Sequence, residues 1–420
     1  MAFEQTNNWG QLIASELSSR GREAAGNVKL MTNLQTIAES LKALRARGVV
    51  GVIATPKCQL EILPKIEGSG EVGVTDATLR QRLIHMLAVV HDLPIEAGAM
   101  TKLDWQRDTV LELLIRIFCE KLTDATRQGM PRQYRAHEED IPALRGRLDV
   151  TRQFSTLAVS PQILACRFDD LSANIALNQV MHAAVNKLSR LSQAPDNQRK
   201  LRELRFVYAD VDDISPNALQ WNQIVLDRTN QRWQDLLSLA RLFLSDRHQQ
   251  TSSGSIDGHA MLFEMNVLFE RYVARILSRA LVGTGLKVSS QGGLRSCLFE
   301  GETGRFRTRP DLVVRRGDEI VLIIDTKWKR IAPRIDDAKQ GVSQSDVYQM
   351  MAYGQLYHCP NVMLLYPHHI DLPEEPILQH YSIASESAQE KLFLATMDIS
   401  GSRSEHRKAL SQMLSQCLSE

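Results

Sequence analysis

Apolar positions recur at spacings of three and four along most of the first half of the chain, whereas the second half breaks into short runs of branched apolar residues. The helical spacing covers Thr32–Ala46, Leu79–Val90, Trp105–Thr123, Ile175–Leu191, Gln198–Phe206 and Leu219–Leu244, and Thr75 stands where an N-cap is needed. Pro131, Pro142, Pro161, Pro195 and Pro216 keep these elements short. Val49–Ala54 and Leu60–Pro64 read as strands joined across Thr55-Pro56-Lys57. Arg132–Arg147 is dense in charge and predicts an exposed loop or arm reaching a partner, while Arg247–Gly258 is polar enough to be a linker.

In the second half, His259–Leu281 predicts a helix with Phe263, Val267, Val273 and Leu277 on one stripe, and Glu270 falls on that same stripe. Leu312–Val314 and Ile320–Ile324 flank Gly317-Asp318 as a β-hairpin. Its register is open. A three-residue turn pairs Arg316 with Ile320 and sets Asp311 opposite Asp325, whereas a two-residue turn pairs Asp311 with Ile324 and points the carboxylates to opposite faces. A helix over Asp346–Tyr357 carries Gln349 and Tyr353 four apart, on one face. Strands over Val362–Tyr366 and Leu392–Thr396 and a helix over Glu405–Leu418 complete an α/β chain, α+β overall. It divides into a mixed segment, residues 1–100, a mainly helical docking region, 101–250, and a domain with a central mixed sheet, 251–420.

The run Ile320–Ile324 reads as a strand buried on both faces, and it ends in Asp325-Thr326-Lys327. Charges there are either solvated at a sheet end or held in a cleft, because burying them unpaired is costly. Two carboxylates suit a hard divalent cation, and with a lysine beside them they suit phosphodiester hydrolysis. The plainer readings are a solvated strand end, a salt bridge for Glu270, and interfacial packing for Gln349 and Tyr353.

Fifty basic against forty-nine acidic residues leave a net charge of +1, so a nucleic-acid footprint has to be local. Arg295, Arg305, Arg307, Arg309, Lys329 and Arg330 crowd the hairpin, and Arg307, Arg309, Lys329 and Arg330 are the candidate DNA contacts. Six scattered cysteines without a Cys-x-x-Cys predict a reduced, cytoplasmic protein, and no run approaches the roughly eighteen apolar residues of a membrane span. No Gly-x-x-x-x-Gly-Lys-Ser/Thr phosphate loop is present, so this chain is expected to bind no nucleotide.

Pro310-Asp311, Asp325-Thr326-Lys327, the upstream Glu270 and Gln349-x-x-x-Tyr353 together resemble the PD-(D/E)xK nuclease core in its Gln-x-x-x-Tyr variant. Leu268-Phe269-Glu270-Arg271-Tyr272, Tyr348–Tyr353, Leu365-Tyr366-Pro367-His368 and, earlier, Ile62–Ile66, Gly146-Arg147-Leu148 and Cys166–Asn178 resemble the McrC family, nuclease subunits of McrBC modified-cytosine restriction systems. The resemblance covers most of the chain and is strongest from Met261 to His369. It implies an Mg²⁺-dependent endonuclease, with Mn²⁺ as a substitute, acting on double-stranded DNA. Asp311, Asp325 and the Thr326 backbone carbonyl would ligate the metal, Lys327 would be the catalytic lysine and Glu270 the helix acid. Gln349 and Tyr353 would be accessory substrate contacts. It also implies a partner, a ring of GTP-hydrolysing AAA+ motor subunits that this chain stimulates. Two rivals stay open: a non-catalytic activator of such a motor, and a stand-alone repair-type nuclease.

Overall fold

Strand pairing ties Val49–Ala54 to His259–Glu264, some two hundred residues later. In the computed structural model, residues 48–54, 59–65, 74–93, 105–160, 162–228, 230–244, 259–292, 295–331, 341–383 and 390–419 are described. The expected helix Thr32–Ala46, the Thr55-Pro56-Lys57 connection and the Arg247–Gly258 linker lie outside them. Two compact units divide the chain, Met1–Val110 with Arg247–Glu420, and Leu111–Asp246.

In the first unit, β1 (Val49–Ala54) and β2 (Gln59–Ile62) pair antiparallel, as their alternation predicts. The other edge of β1 pairs with His259–Glu264, where Gly51 opposes Leu262. A Cβ at Gly51 would stand 1.9 Å from the Met261 carbonyl oxygen, at a φ of +133°, so only glycine fits. Helix α1 (Asp76–Val90) starts at Thr75, whose side chain accepts from the Thr78 N–H at 3.3 Å.

The second unit runs α2 (Val110–Arg127), β3 (Gln133–Ile141), β4 (Arg147–Leu148), α3 (Val150–Ser155), β5 (Leu164–Ser172), α4 (Ala176–Leu191), α5 (Pro195–Val207) and α6 (Gln234–Leu244). Two expectations need correcting. Arg132–Arg147 is exposed as expected but is mostly strand rather than loop: β3 pairs with β5 over nine residues, held by ladder hydrogen bonds with all but Ile141 of its residues exposed. Leu219–Leu244 is α-helical only from Gln234, with short 3-10 turns at Trp221–Gln223 and Gln231–Trp233 before it. Upstream, the Asn230 side chain accepts from the Asp227 N–H at 2.7 Å and donates to the Val225 carbonyl at 3.1 Å, a local closure that competes with the helix.

The first unit resumes at β6 (His259–Glu264), followed by α7 (Met265–Ala280). The helix therefore starts later than its apolar spacing predicts, because residues through Glu264 are taken up in pairing with β1. Then come β7 (Leu286–Ser290), β8 (Ser296–Glu300), β9 (Thr303–Arg307), β10 (Leu312–Arg316), β11 (Glu319–Thr326), α8 (Gln344–Tyr357), β12 (Asn361–Pro367), β13 (Ile377–Ser382), β14 (Lys391–Met397) and α9 (Arg403–Ser419). Six strands form a mixed sheet in the order β13-β14-β12-β11-β10-β7, parallel across β11, β12 and β14 and antiparallel elsewhere. On one face, Val313, Ile323, Val362 and Leu364 pack with Met350, Tyr353 and Tyr357 of α8. Helix α7 packs on α1, α9 and β11 through a stripe that includes Leu268, Phe269, Tyr272 and Val273.

Candidate active site

The hairpin β10–β11 resolves its register in a way that neither simple turn predicts. Arg316 pairs with Glu319 around the two-residue turn Gly317-Asp318, with Gly317 at a φ of +61°. A bulge then intervenes, so that Arg315 opposes Ile320 but Val314 opposes Leu322 and Leu312 opposes Ile324. The extra residue restores the register that a three-residue turn would give. Continued by one residue, it sets Asp311 opposite Asp325.

The two acids are anchored differently. Asp311 Oδ2 accepts from the Thr326 N–H and from its hydroxyl, each at 2.8 Å, which ties the start of β10 to the end of β11. Asp325 is 1% exposed, and its Oδ2 meets Lys327 Nζ at 2.7 Å with no hydrogen-bond donor aligned to it among the described residues. Burial, and then the charge of Asp311, push the Asp325 carboxyl up to about 6, against the pull of Lys327. For Lys327, burial pulls the ammonium down, but Asp325, Asp346 and Asp311 outweigh it and leave it above the ordinary lysine value. Its backbone is fixed by a 2.9 Å bond from the Lys327 N–H to the Leu365 carbonyl on β12.

Helix α8 closes the site from the face where it packs on the sheet. Gln349 donates to Asp325 Oδ1 at 3.4 Å and to the Tyr353 hydroxyl at 2.8 Å, and its Oε1 accepts from Lys327 Nζ at 3.3 Å. Gln349 and Tyr353 thus share a face as their spacing of four predicts, and one amide touches the acid, the lysine and the phenol. Burial is the chief cause that raises the Tyr353 hydroxyl above its usual value. Glu270, on α7, is also raised, first by burial and next by the charge of Asp311, and it is tied to the site by Gln291. Trp328, next in the chain after Lys327, is held by its N–H to Asn266 Oδ1 at 3.1 Å and by an edge contact with Phe269.

The basic candidates separate. Lys329 pairs with Asp346 at 2.8 Å, and Arg330 with Asp371, so both are engaged by acids. Arg309 donates to Gln291 at the site, and Arg307 is exposed on β9.

Sequence reasoning missed Gln291. Its Nε2 donates to Glu270 Oε1 at 3.1 Å, its Oε1 accepts from Arg309, and its N–H donates to the Asp311 carbonyl at 2.8 Å. It does so at a φ of +51°, a left-handed backbone that a non-glycine residue adopts only under constraint. A lone glutamine after β7 carries no periodic signal.

The donor set fits a divalent cation. Two carboxylates of like charge lie close enough for Asp311 to raise Asp325, and Asp325 Oδ2 is buried with no aligned donor among the described residues. Among the described residues no group of three or more His, Cys, Asp or Glu side chains is arranged to hold a metal, so a cation here would rely on two acids, a backbone carbonyl and water.

The profile of the family described as McrBC 5-methylcytosine restriction system component matches residues 44–367. No curated protein matches the chain. Among solved structures, the fold is similar to a chain of the refined half-complex from the tetradecameric assembly of Thermococcus gammatolerans McrB AAA+ hexamers with bound McrC. That likeness has a TM-score of 0.69 at 20% identity and covers 96% of this chain and 93% of that one. A chain of the Thermococcus gammatolerans McrBC complex matches at 22% identity over 62% of this chain and 84% of its own, with a TM-score of 0.46.

Proposed function

Since the chain belongs to the family of McrBC 5-methylcytosine restriction system components, we propose that it is the subunit that cuts DNA in a motor-driven, modification-dependent restriction complex. The observation that carries this reading is the set Asp311, Asp325 and Lys327, gathered at one end of a bulged hairpin beneath Gln349. Asp311, Asp325 and the Thr326 carbonyl would hold Mg²⁺, with Mn²⁺ as a substitute; when bound, the metal supplies a Lewis acid and an activated water.

The chain's own groups do the rest. Lys327, fixed by its backbone bond to β12, holds an ammonium where negative charge builds on the phosphate. Gln349 orients that ammonium through its Oε1 and leaves Tyr353 beside it to meet substrate. Glu270 lies across from Asp311 and is steadied by Gln291.

A GTP-hydrolysing AAA+ ring is the proposed partner. The similar Thermococcus gammatolerans structure holds McrC on McrB AAA+ hexamers, and this sequence has no phosphate loop of its own. The ribbon β3–β5 is the proposed docking arm, because it exposes nearly all of a nine-residue strand. Among the described residues no helix is long and apolar enough to cross a membrane.

The test is plasmid cleavage with Mg²⁺ and GTP, with and without the motor subunit. The native chain with motor is expected to cut, and Asp311→Ala or Lys327→Ala to lose at least about a hundredfold in rate while keeping the fold and the stimulation of GTP hydrolysis. Normal cutting by either variant refutes the site.

A further inference from the structure

Strands β8 and β9 form a two-stranded ribbon that belongs to no larger sheet. Every residue of β9, and all of β8 except Ser296, is exposed. Even so, the ribbon carries Leu298, Phe299 and Phe306, exposed by 58%, 69% and 74%. Single exposed apolar residues are unremarkable on a soluble protein. Three on ten strand residues that bury nothing are a different matter.

The base of the ribbon is held firmly. The Thr308 N–H and hydroxyl both donate to the Arg295 carbonyl at 2.8 Å, and the Thr308 hydroxyl also meets the Tyr357 hydroxyl at 2.7 Å. The Arg295 guanidinium donates to the Leu356 carbonyl at 2.6 Å and lies over the Tyr357 ring. The ribbon is therefore clamped to α8, the helix that carries Gln349 and Tyr353, and only three residues separate Arg307 from Asp311.

Its charge points to one kind of partner. Residues 295–309 hold four arginines and two glutamates, a net of +2, and Glu300 engages Arg305 within the ribbon. Arg307 makes no ion pair among the described residues, and Arg309 reaches the site through Gln291. Basic side chains beside exposed aromatics suit a polyanion that also offers flat apolar faces. A two-stranded ribbon has the width of a DNA groove, and apolar wedges on such elements press between base steps.

We infer that β8–β9 is a DNA-gripping ribbon, whose Phe299 and Phe306 enter a groove of duplex DNA while Arg307 and Arg309 take the phosphates that lead to the acid pair. This rests on the nuclease reading and extends it to how the duplex is held. Phe306 sits at a φ of +50°, so its exposed side chain is kept at some backbone strain.

The test uses the full chain with Phe299→Ser and Phe306→Asn combined; both positions are exposed and asparagine tolerates the left-handed backbone. Binding to a fluorescent duplex in Ca²⁺, without cutting, is expected to weaken at least about tenfold. Arg307→Gln should flatten the dependence of log affinity on log salt by about one. Plasmid cleavage in the motor complex should fall in step with affinity, with stimulation of GTP hydrolysis unchanged. Native affinity and cutting by the double variant would overturn the inference and leave the nuclease reading intact. Loss of GTPase stimulation or of self-association at unchanged DNA affinity would also overturn it, by giving the ribbon to a protein partner. Failure of the native chain to bind duplex at all would overturn the ribbon, whereas normal cutting by Asp311→Ala would instead remove the reading beneath it.

Discussion

The hairpin β10–β11 and the ribbon β3–β5 are both long antiparallel pairs, and both carry acids and bases. In β3–β5 most charges face water: Arg145 meets Asp170 and Arg167 meets Glu138, each at 3.1 Å between exposed side chains. In β11 everything from Ile320 to Thr326 is buried, and the one charge there, Asp325, stands with Asp311 on one side and Lys327 on the other. Exposed pairs of the first kind are worth about 1 kcal/mol or less, because water screens them. Burial of the second kind moves the Asp325 carboxyl up to about 6. The same residue types thus form a largely solvated surface in one place and a buried, mutually perturbed cluster in the other, and the difference lies in what surrounds the strand.

The comparison breaks most visibly if the buried hairpin tolerates change as readily as the ribbon does. Ile323 is fully buried between the sheet and α8, so Ile323→Ala should cost about 2–5 kcal/mol of stability by chemical denaturation. Tyr134, 74% exposed on β3, should cost less than about 0.5 kcal/mol when changed to alanine. Equal costs at the two positions would mean that the contrast in burial is illusory.

A smaller effect tests the buried side against pH. His85 on α1 packs edge-on to Tyr272 and His406, and the Tyr272 hydroxyl meets His406 Nδ1 at 2.6 Å. Burial first, then the charges of Arg403 and His406, bring His85 down to about 4. A histidine depressed in the fold keeps its full contribution above its unfolded value near 6.5 and loses it as pH falls toward 4. At about 1.4 kcal/mol per unit, this histidine should account for about 3 kcal/mol of acid destabilisation. Melting temperatures of His85→Leu and native protein should converge above pH 7 and separate below 6, with the variant the more stable; parallel curves would contradict it.

Smaller still is the effect at Gln291, a positioning residue that holds Glu270, Arg309 and the backbone of Asp311. Gln291→Ala should lower the cleavage rate about tenfold at saturating DNA and leave DNA affinity unchanged. A change in affinity alone would move Gln291 from positioning to substrate binding.

Much of the site was legible because physics leaves a mark where charge follows an apolar run. Asp325 and Lys327 end such a run, Asp311 precedes its partner strand, and Gln349 and Tyr353 share a helix face at a spacing of four. The bulge was not legible: with both faces of β11 buried, an extra residue inside Ile320–Ile324 disturbs no alternation that could betray it. Nor was β3, since Gln133–Ile141 is held by ladder bonds rather than burial and so shows no apolar period. The strand His259–Glu264 was read as helix because its partner β1 is far away in the chain.

The claim at the centre is that the bulge aligns Asp311 with Asp325 so that the pair can hold a divalent cation. Anomalous diffraction from crystals of the chain soaked in Mn²⁺ tests it most directly. The account predicts a peak bound by both carboxylates and the Thr326 carbonyl, lost in Asp325→Asn. A peak elsewhere, or none at saturating Mn²⁺, would contradict it.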